Sequence, residues 1–219
     1  MNSIFFPKPL FIAVVVTLTL FLIVIGVGFR KDSTRIMHAV SWDRVKAYQY
    51  EKTPGLKRAE ELGLTRSYQI EMPVPETDLI LSIYEVWYNK EHVYFFYSFE
   101  RTKGSFAKHL KDREAPVLSF RAFLPDSTED TDTAGNASYP LNWPSWEGAQ
   151  HQGKFHQRLA VAPFIEEDQV LVSRIEEIVL KQVLVQWGDH TYPLEDIRLP
   201  LHIDLTTGQN ETVPLWHSE

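Results

Sequence analysis

The chain has 219 residues, 44% of them hydrophobic and 23% charged, a globular composition that allows one domain and an attachment segment. It has no cysteine, which excludes structural disulfides, thiolate nucleophiles and cysteine-ligated zinc. Beyond residue 35 there are 18 basic and 28 acidic residues. This balance argues against a nucleic-acid partner, because nucleic acid requires a concentrated basic surface.

An uncharged apolar segment of twenty residues runs from Leu10 to Phe29. Its length matches the hydrocarbon thickness of a bilayer, and its Leu, Ile, Val and Phe side chains favour insertion by roughly 5–9 kcal/mol. A cleaved signal peptide has a shorter apolar region and a small-residue cleavage site, whereas this segment ends Gly-Val-Gly-Phe-Arg. We therefore predict a short tail at 1–9 and a single uncleaved transmembrane helix at 10–29.

The charges around this segment do not fix its orientation. Lys8 precedes it, and Arg30, Lys31 and Arg35 follow it, so the positive-inside rule would place the body in the cytoplasm. Long domains that follow a span are nevertheless translocated largely regardless of charge. The charge pattern leaves both orientations open.

Residues 30–66 have a helical pattern and predict a short helical stalk, followed by a helix that lies against the domain. Thr53, followed by Pro54, is the expected start of a second helix, and Gly63 its expected end. The apolar residues at helical spacing before this turn are Trp42, Val45 and Tyr48.

From Ser67 the hydrophobic period changes to two, which is typical of strands. After a first strand at 67–72, residues 79–100 predict a hairpin whose turn is Asn-Lys-Glu at 89–91. The phase slips by one residue between Ile83 and Val86, as a β-bulge would require. The residues predicted to face the core are Leu79, Leu81, Ile83, Val93, Phe95, Tyr97 and Phe99.

Further strands are predicted beyond this hairpin, with a long loop at 124–152. The expected strands are 117–123, 153–162, 169–180, 181–187 and 199–205. Short strands separated by turn signals indicate an all-β antiparallel sandwich over residues 67–219.

The segment Pro54–Glu100 resembles a domain-of-unknown-function family of mostly Gram-positive membrane proteins, often attached to anti-sigma-factor-like segments. The likeness lies in a helix ending in Gly63, a strand, and a hairpin with alternating aliphatic residues and Tyr97. It implies an immunoglobulin-like sandwich and a body outside the membrane.

Several polar clusters contain residue types that chemical sites use. His151 and His156 are five residues apart, but they lack the third ligand and the spacing of a zinc site, so a polar strand edge is expected there. The acidic stretch 126–132 lacks the register of a calcium loop, and no nucleophile elbow occurs. We expect no metal, no cofactor and no catalytic residue.

Tyr139, Trp143 and Trp146 form the one aromatic cluster in the long loop. They could serve as an interaction surface, or they could fold back onto the sandwich. The expected function is a non-catalytic, single-pass envelope domain with an interaction or sensory role, a protein partner and a link to sigma-factor regulation. The alternatives are a cell-wall-polymer or carbohydrate-binding module that uses residues 139–146, and an unrecognised hydrolase.

Overall fold

The computed structural model describes residues 36–107, 110, 114–125, 137–138, 147–165 and 171–205. These residues belong to one unit, Ile36–Glu219. The predicted span at 10–29 lies outside them. None of the helices within these ranges combines the length and the apolar character that a membrane span requires.

Eleven strands and two short helices make up the described part of the chain. In chain order they are β1 (Ile36–His38), α1 (Trp42–Lys52), α2 (Leu56–Glu61), β2 (Arg66–Pro73), β3 (Leu79–Tyr88), β4 (Val93–Arg101), β5 (Val117–Phe123), β6 (Ala137–Ser138), β7 (Gly148–His151), β8 (Lys154–Val161), β9 (Arg174–Trp187), β10 (His190–Pro193) and β11 (Ile197–Asp204).

The strands form two sheets. The first has the order β1-β7-β8-β4-β3-β2 and is antiparallel except for the β1–β7 pair. The second has the order β10-β9-β5-β6, and β11 also pairs with β9, beyond the segment that β10 occupies. The predicted all-β sandwich is confirmed at this level.

The predicted hairpin and its bulge are confirmed. Strands β3 and β4 pair from Leu79 to Tyr88, and the register shifts between Ile83 and Glu85, which makes Tyr84 the extra residue. All seven residues predicted to face the core are at most 1% exposed.

The two sheets enclose the main hydrophobic core. Phe95 of β4 meets Phe120 of β5 edge to face, with ring centroids 4.9 Å apart. At one edge of the sandwich the Tyr68 hydroxyl donates to the Pro200 carbonyl at 2.8 Å. Arg66 donates to the Leu201 carbonyl at 3.1 Å, so both aromatic packing and hydrogen bonds join the sheets.

A second, smaller core lies on the outer face of the first sheet. Leu56 and Ala59 of α2 pack there against Trp87, Tyr94 and Phe96 of the hairpin. Within the described part of the expected stalk at 30–66, α2 lies against the domain as predicted, and α1 also contacts the sheet. From residue 36 the chain adds an edge strand to the sheet and then covers part of the sheet with two helices, because the apolar outer face of the hairpin needs burial.

A polar network fixes the helices in place. Lys46 of α1 forms ion pairs with Glu60 of α2 at 2.6 Å and with Glu85 of β3 at 3.0 Å. The Tyr50 hydroxyl donates to Glu60 at 2.6 Å. Burial and this neighbouring carboxylate raise the pKa of Tyr50 above its usual range.

Local details of the helices differ from the prediction. Val45 and Gln49 form the buried face of α1, whereas Trp42 is 43% exposed. The residue before α2 is Gly55, not Thr53, and it has a φ of 88°. A Cβ on Gly55 would lie 3.1 Å from the Trp87 ring, so glycine meets both the backbone and the space requirement here.

Two strand predictions are also corrected. From Arg174 onward the expected strands 169–180 and 181–187 are one strand, β9, because a left-handed residue at Gln182 (φ 51°) absorbs the change of hydrophobic phase within it. Strands β6, β7 and β10 were not predicted. They are two to four residues long, too short for a period to be recognised.

We expect Phe95→Ala to lower the free energy of unfolding by about 3–5 kcal/mol, because it opens a cavity between the sheets. Urea unfolding of the full chain measures this. Leu184→Ala, at a strand position that is 36% exposed, is the control and should cost much less. Equal losses would contradict the packing described.

We expect Lys46→Met to cost about 1–3 kcal/mol, because it leaves the Glu85 carboxylate, whose side chain is 8% exposed, without its cation. Arg58→Met is the matched control, since Arg58 pairs with Glu61 in an exposed contact. The control should change stability by less than about 0.5 kcal/mol. Comparable effects in urea unfolding would show that the network does not hold the helices.

Candidate functional site

The helices leave part of the outer face of the first sheet uncovered, and this part is the floor of an open cleft of about 890 Å³. The floor crosses β2, β3, β4, β8 and β7, and the segment Val40–Trp42 forms one wall. The volume falls in the range usual for ligand sites.

The floor is built by cross-strand register. Glu71 pairs with Ser82, Ser82 with Ser98, Ser98 with His156, and His156 with Ala149. Directly opposite residues point to the same face of a sheet, so these side chains form one row across five strands. This row is polar from Glu71 to His156. The neighbouring outward positions of the hairpin, which lie under the helices, are aromatic instead.

Three rings stand together at the junction of cleft and helices. Trp42 lies 5.2 Å from His156 and 6.1 Å from Tyr84 between ring centroids, and Tyr84 lies 5.8 Å from His156. All three contacts are edge to face, the geometry that aromatic quadrupoles favour. Gln49 of α1 donates to the Tyr84 hydroxyl, which ties the helix to this cluster.

His156 is a buried polar group of the floor. It is 6% exposed, and its Nδ1 atom has no hydrogen-bond partner among the described residues. Burial first, and then the neighbouring His151 and Lys154, lower its pKa to about 4. The imidazole is therefore neutral at pH 7. The buried Ser82 hydroxyl likewise has no partner within the described ranges.

The charged groups beside His156 are mostly paired. Lys154 forms an ion pair with Glu100 at 2.7 Å. His151 makes a 3.0 Å hydrogen bond between its Nδ1 and the Ala39 carbonyl, which connects the floor to the wall segment. The middle of the cleft is consequently polar without a net charge.

The expectation that His151 and His156 form a polar strand edge is wrong. Strand β7 lies between β1 and β8, and β8 lies between β7 and β4, so both histidines are in the interior of the sheet. Both are buried and both line the cleft. No group of three potential metal ligands occurs among the described residues.

The other residues singled out in the sequence do not meet at this cleft. Tyr139, Trp143 and Trp146 lie outside the described residues, as does the acidic stretch 126–132. A further pair of adjacent acidic residues, Glu176 and Glu177, is on β9 in the second sheet. Glu176 pairs with Arg174 and His202, and Glu177 pairs with Arg198.

The sequence reasoning missed Trp42, Tyr84, Ser82 and Ser98 as site residues. The pattern predicts Trp42 only as an apolar residue at helical spacing, and Tyr84 lies within the predicted phase slip between Ile83 and Val86. The signal available was the pair of small serines at outward positions of a hairpin whose other outward positions are largely aromatic. Two small side chains among large ones predict a concave surface at that place.

Comparison with models of known protein families, with curated proteins and with solved structures finds no match.

We expect the stability of the protein to fall as the pH is lowered from 6.5 towards 4. His156 has a pKa of about 4 when folded and 6.5 when exposed, so the unfolded chain binds the extra proton in this interval. The contribution of His156 to the free energy of unfolding is complete above pH 6.5. About 2 kcal/mol of this contribution should be lost by pH 5.

Urea unfolding at pH 7.5 and pH 5 measures this loss. His156→Gln should reduce the difference between the two pH values, whereas His190→Gln, at an exposed position, should leave it unchanged. A pH dependence identical in the wild type and in His156→Gln would contradict the assignment.

Proposed function

We propose that this protein is a non-catalytic, single-pass membrane protein whose extracytoplasmic sandwich binds a ligand in the cleft beside α1, in a sensory or interaction role. The observation that carries the proposal is the cleft itself. A 43% exposed tryptophan stands there beside a buried histidine whose Nδ1 has no partner among the described residues. Exposed aromatic surface next to unsatisfied polar groups is costly for a free protein and useful for binding.

The membrane anchor and the orientation rest on the sequence. The apolar segment 10–29 supports a single span, and the family resemblance of residues 54–100 supports a body outside the membrane. Interaction with a separate regulator, as in sigma-factor control, is one form that the sensory role could take.

An immunoglobulin-like description belongs to the same proposal. It is supported by the two packed, mostly antiparallel sheets. The strand order differs from that of an immunoglobulin domain, however. Here β2, β3 and β4 are neighbours in one sheet, whereas three consecutive strands of an immunoglobulin domain are divided between two sheets. The likeness therefore concerns architecture more than connectivity.

Binding explains the cleft better than hydrolysis does. A serine hydrolase orients its histidine with an acidic residue at the ring nitrogen that faces away from the serine. Nδ1 of His156 has no such partner in the described part of the chain. The alternative that places glycan binding at 139–146 concerns residues outside the described ranges, so the cleft carries the proposal.

The absence of cysteine provides a direct test, because any introduced cysteine is the only thiol. Gln69→Cys places it at an exposed position lining the cleft. Thr191→Cys is the matched control, an exposed polar position on a strand of the second sheet. Each variant is labelled with a membrane-impermeant maleimide, in intact cells and as the purified full chain.

We expect the cysteine at 191 to react in intact cells. The labelling rate of the cysteine at 69, divided by that of the cysteine at 191, should be at least fivefold lower in cells than in the purified protein. A control cysteine that reacts only after lysis would overturn the orientation. Equal relative rates in cells and in the purified protein would overturn ligand binding in the cleft.

A further inference from the structure

The shape of the cleft restricts its ligand. Five adjacent strands contribute to the floor, from β2 to β7. At a strand spacing of about 4.8 Å, the floor extends roughly 19 Å across the sheet. This length suits an elongated molecule that crosses the strands better than a compact metabolite.

The charges of the cleft restrict the ligand further. Lys154 is the one lysine or arginine among the described lining residues, and Glu100 already neutralises it. Glu71, the one acidic lining residue, stands at the β2 end. An anionic polymer would find no unpaired lysine or arginine here, and a cationic one would meet a single carboxylate.

The remaining chemistry is aromatic and hydroxylic. Trp42 offers exposed ring surface at the wall, and Tyr84 lines the cleft beside it. The row of Ser82, Ser98 and His156 offers hydroxyl and neutral imidazole groups, which both donate and accept hydrogen bonds. A pyranose ring has matching surfaces, an apolar C–H face and a rim of hydroxyl groups.

We propose that the cleft binds an uncharged oligosaccharide, with one sugar ring against Trp42 and hydroxyl groups on the row Ser82, Ser98 and His156. This inference rests on the proposed function, because it assigns the ligand class of the same cleft. The glycan could come from an N-acetylated wall polymer or from a plain hexose polymer, which share this chemistry.

The test uses the full chain in a detergent without a sugar headgroup, so that the detergent does not compete. Chitotetraose represents the N-acetylated source, cellotetraose the plain hexose source, and tetraglutamate serves as an anionic probe of similar length. Calorimetry and tryptophan fluorescence measure binding to the wild type and to Trp42→Ala, Ser98→Ala and Leu62→Ala. Leu62 is 53% exposed and lies outside the cleft, so Leu62→Ala is the matched control for Trp42.

We expect one of the two saccharides to bind, with affinity reduced at least tenfold in Trp42→Ala, about threefold or more in Ser98→Ala, and less than twofold in Leu62→Ala. The saccharide that binds identifies the source. Ser98→Ala removes only one hydroxyl group, so it keeps the inference testable if Trp42→Ala proves unstable in thermal melting. Glu71→Gln should change the affinity less than twofold, because the ligand is uncharged.

Three results would overturn the inference. Tighter binding of tetraglutamate than of either saccharide would assign an anionic ligand. Saccharide binding that is insensitive to both cleft variants would place the site elsewhere. If neither saccharide binds although the cysteine at position 69 is protected in cells, the ligand class is wrong while the proposed function stands; with no protection, both fail.

Discussion

The β-bulge at Tyr84 is the constraint on which the rest of the molecule depends. Strict alternation along β3 could place either Ile83 or Val86 in the sandwich core, but not both, because they are an odd number of residues apart. The extra residue restores the phase, and both side chains are at most 1% exposed. The bulge also turns two neighbours outward: Tyr84 lines the cleft and Glu85 binds Lys46 of α1.

The outer face of the first sheet is consequently divided in two. Near the hairpin turn its outward residues are aromatic, and the helices cover them. Further along, the outward positions carry Ser82, Ser98 and His156, which gain little from burial under an apolar helix. The helical cover ends where the floor becomes polar, and Trp42 stands at that boundary, in contact with His156 and half exposed.

The cleft contains groups that stability alone does not explain. A buried imidazole nitrogen and a buried hydroxyl that both lack a partner among the described residues cost folding free energy. Leucine or valine at these positions would close the cleft and remove that cost. Retaining polar groups under such a penalty is typical of positions that act on a second molecule.

The elements with a local signal could be predicted from the residues alone. Period-two alternation defined the hairpin from Leu79 to Glu100, its bulge and its buried residues, and also β5 and β8, because alternation follows directly from strand geometry. The second face of the hairpin was ambiguous, since an outward aromatic such as Trp87 or Phe96 has the same pattern whether solvent, a partner or a helix covers it.

What covers that face, and which part of it stays open, depends on contacts between distant parts of the chain. The cleft joins residues as distant as Trp42, Ser98 and His156, and their proximity depends on strand order, which is set by contacts far apart in sequence. The order β7-β8-β4-β3 brings β8 against β4 although about fifty residues separate them. A periodic pattern determines which way a side chain points; the pairing of distant strands determines what it points at.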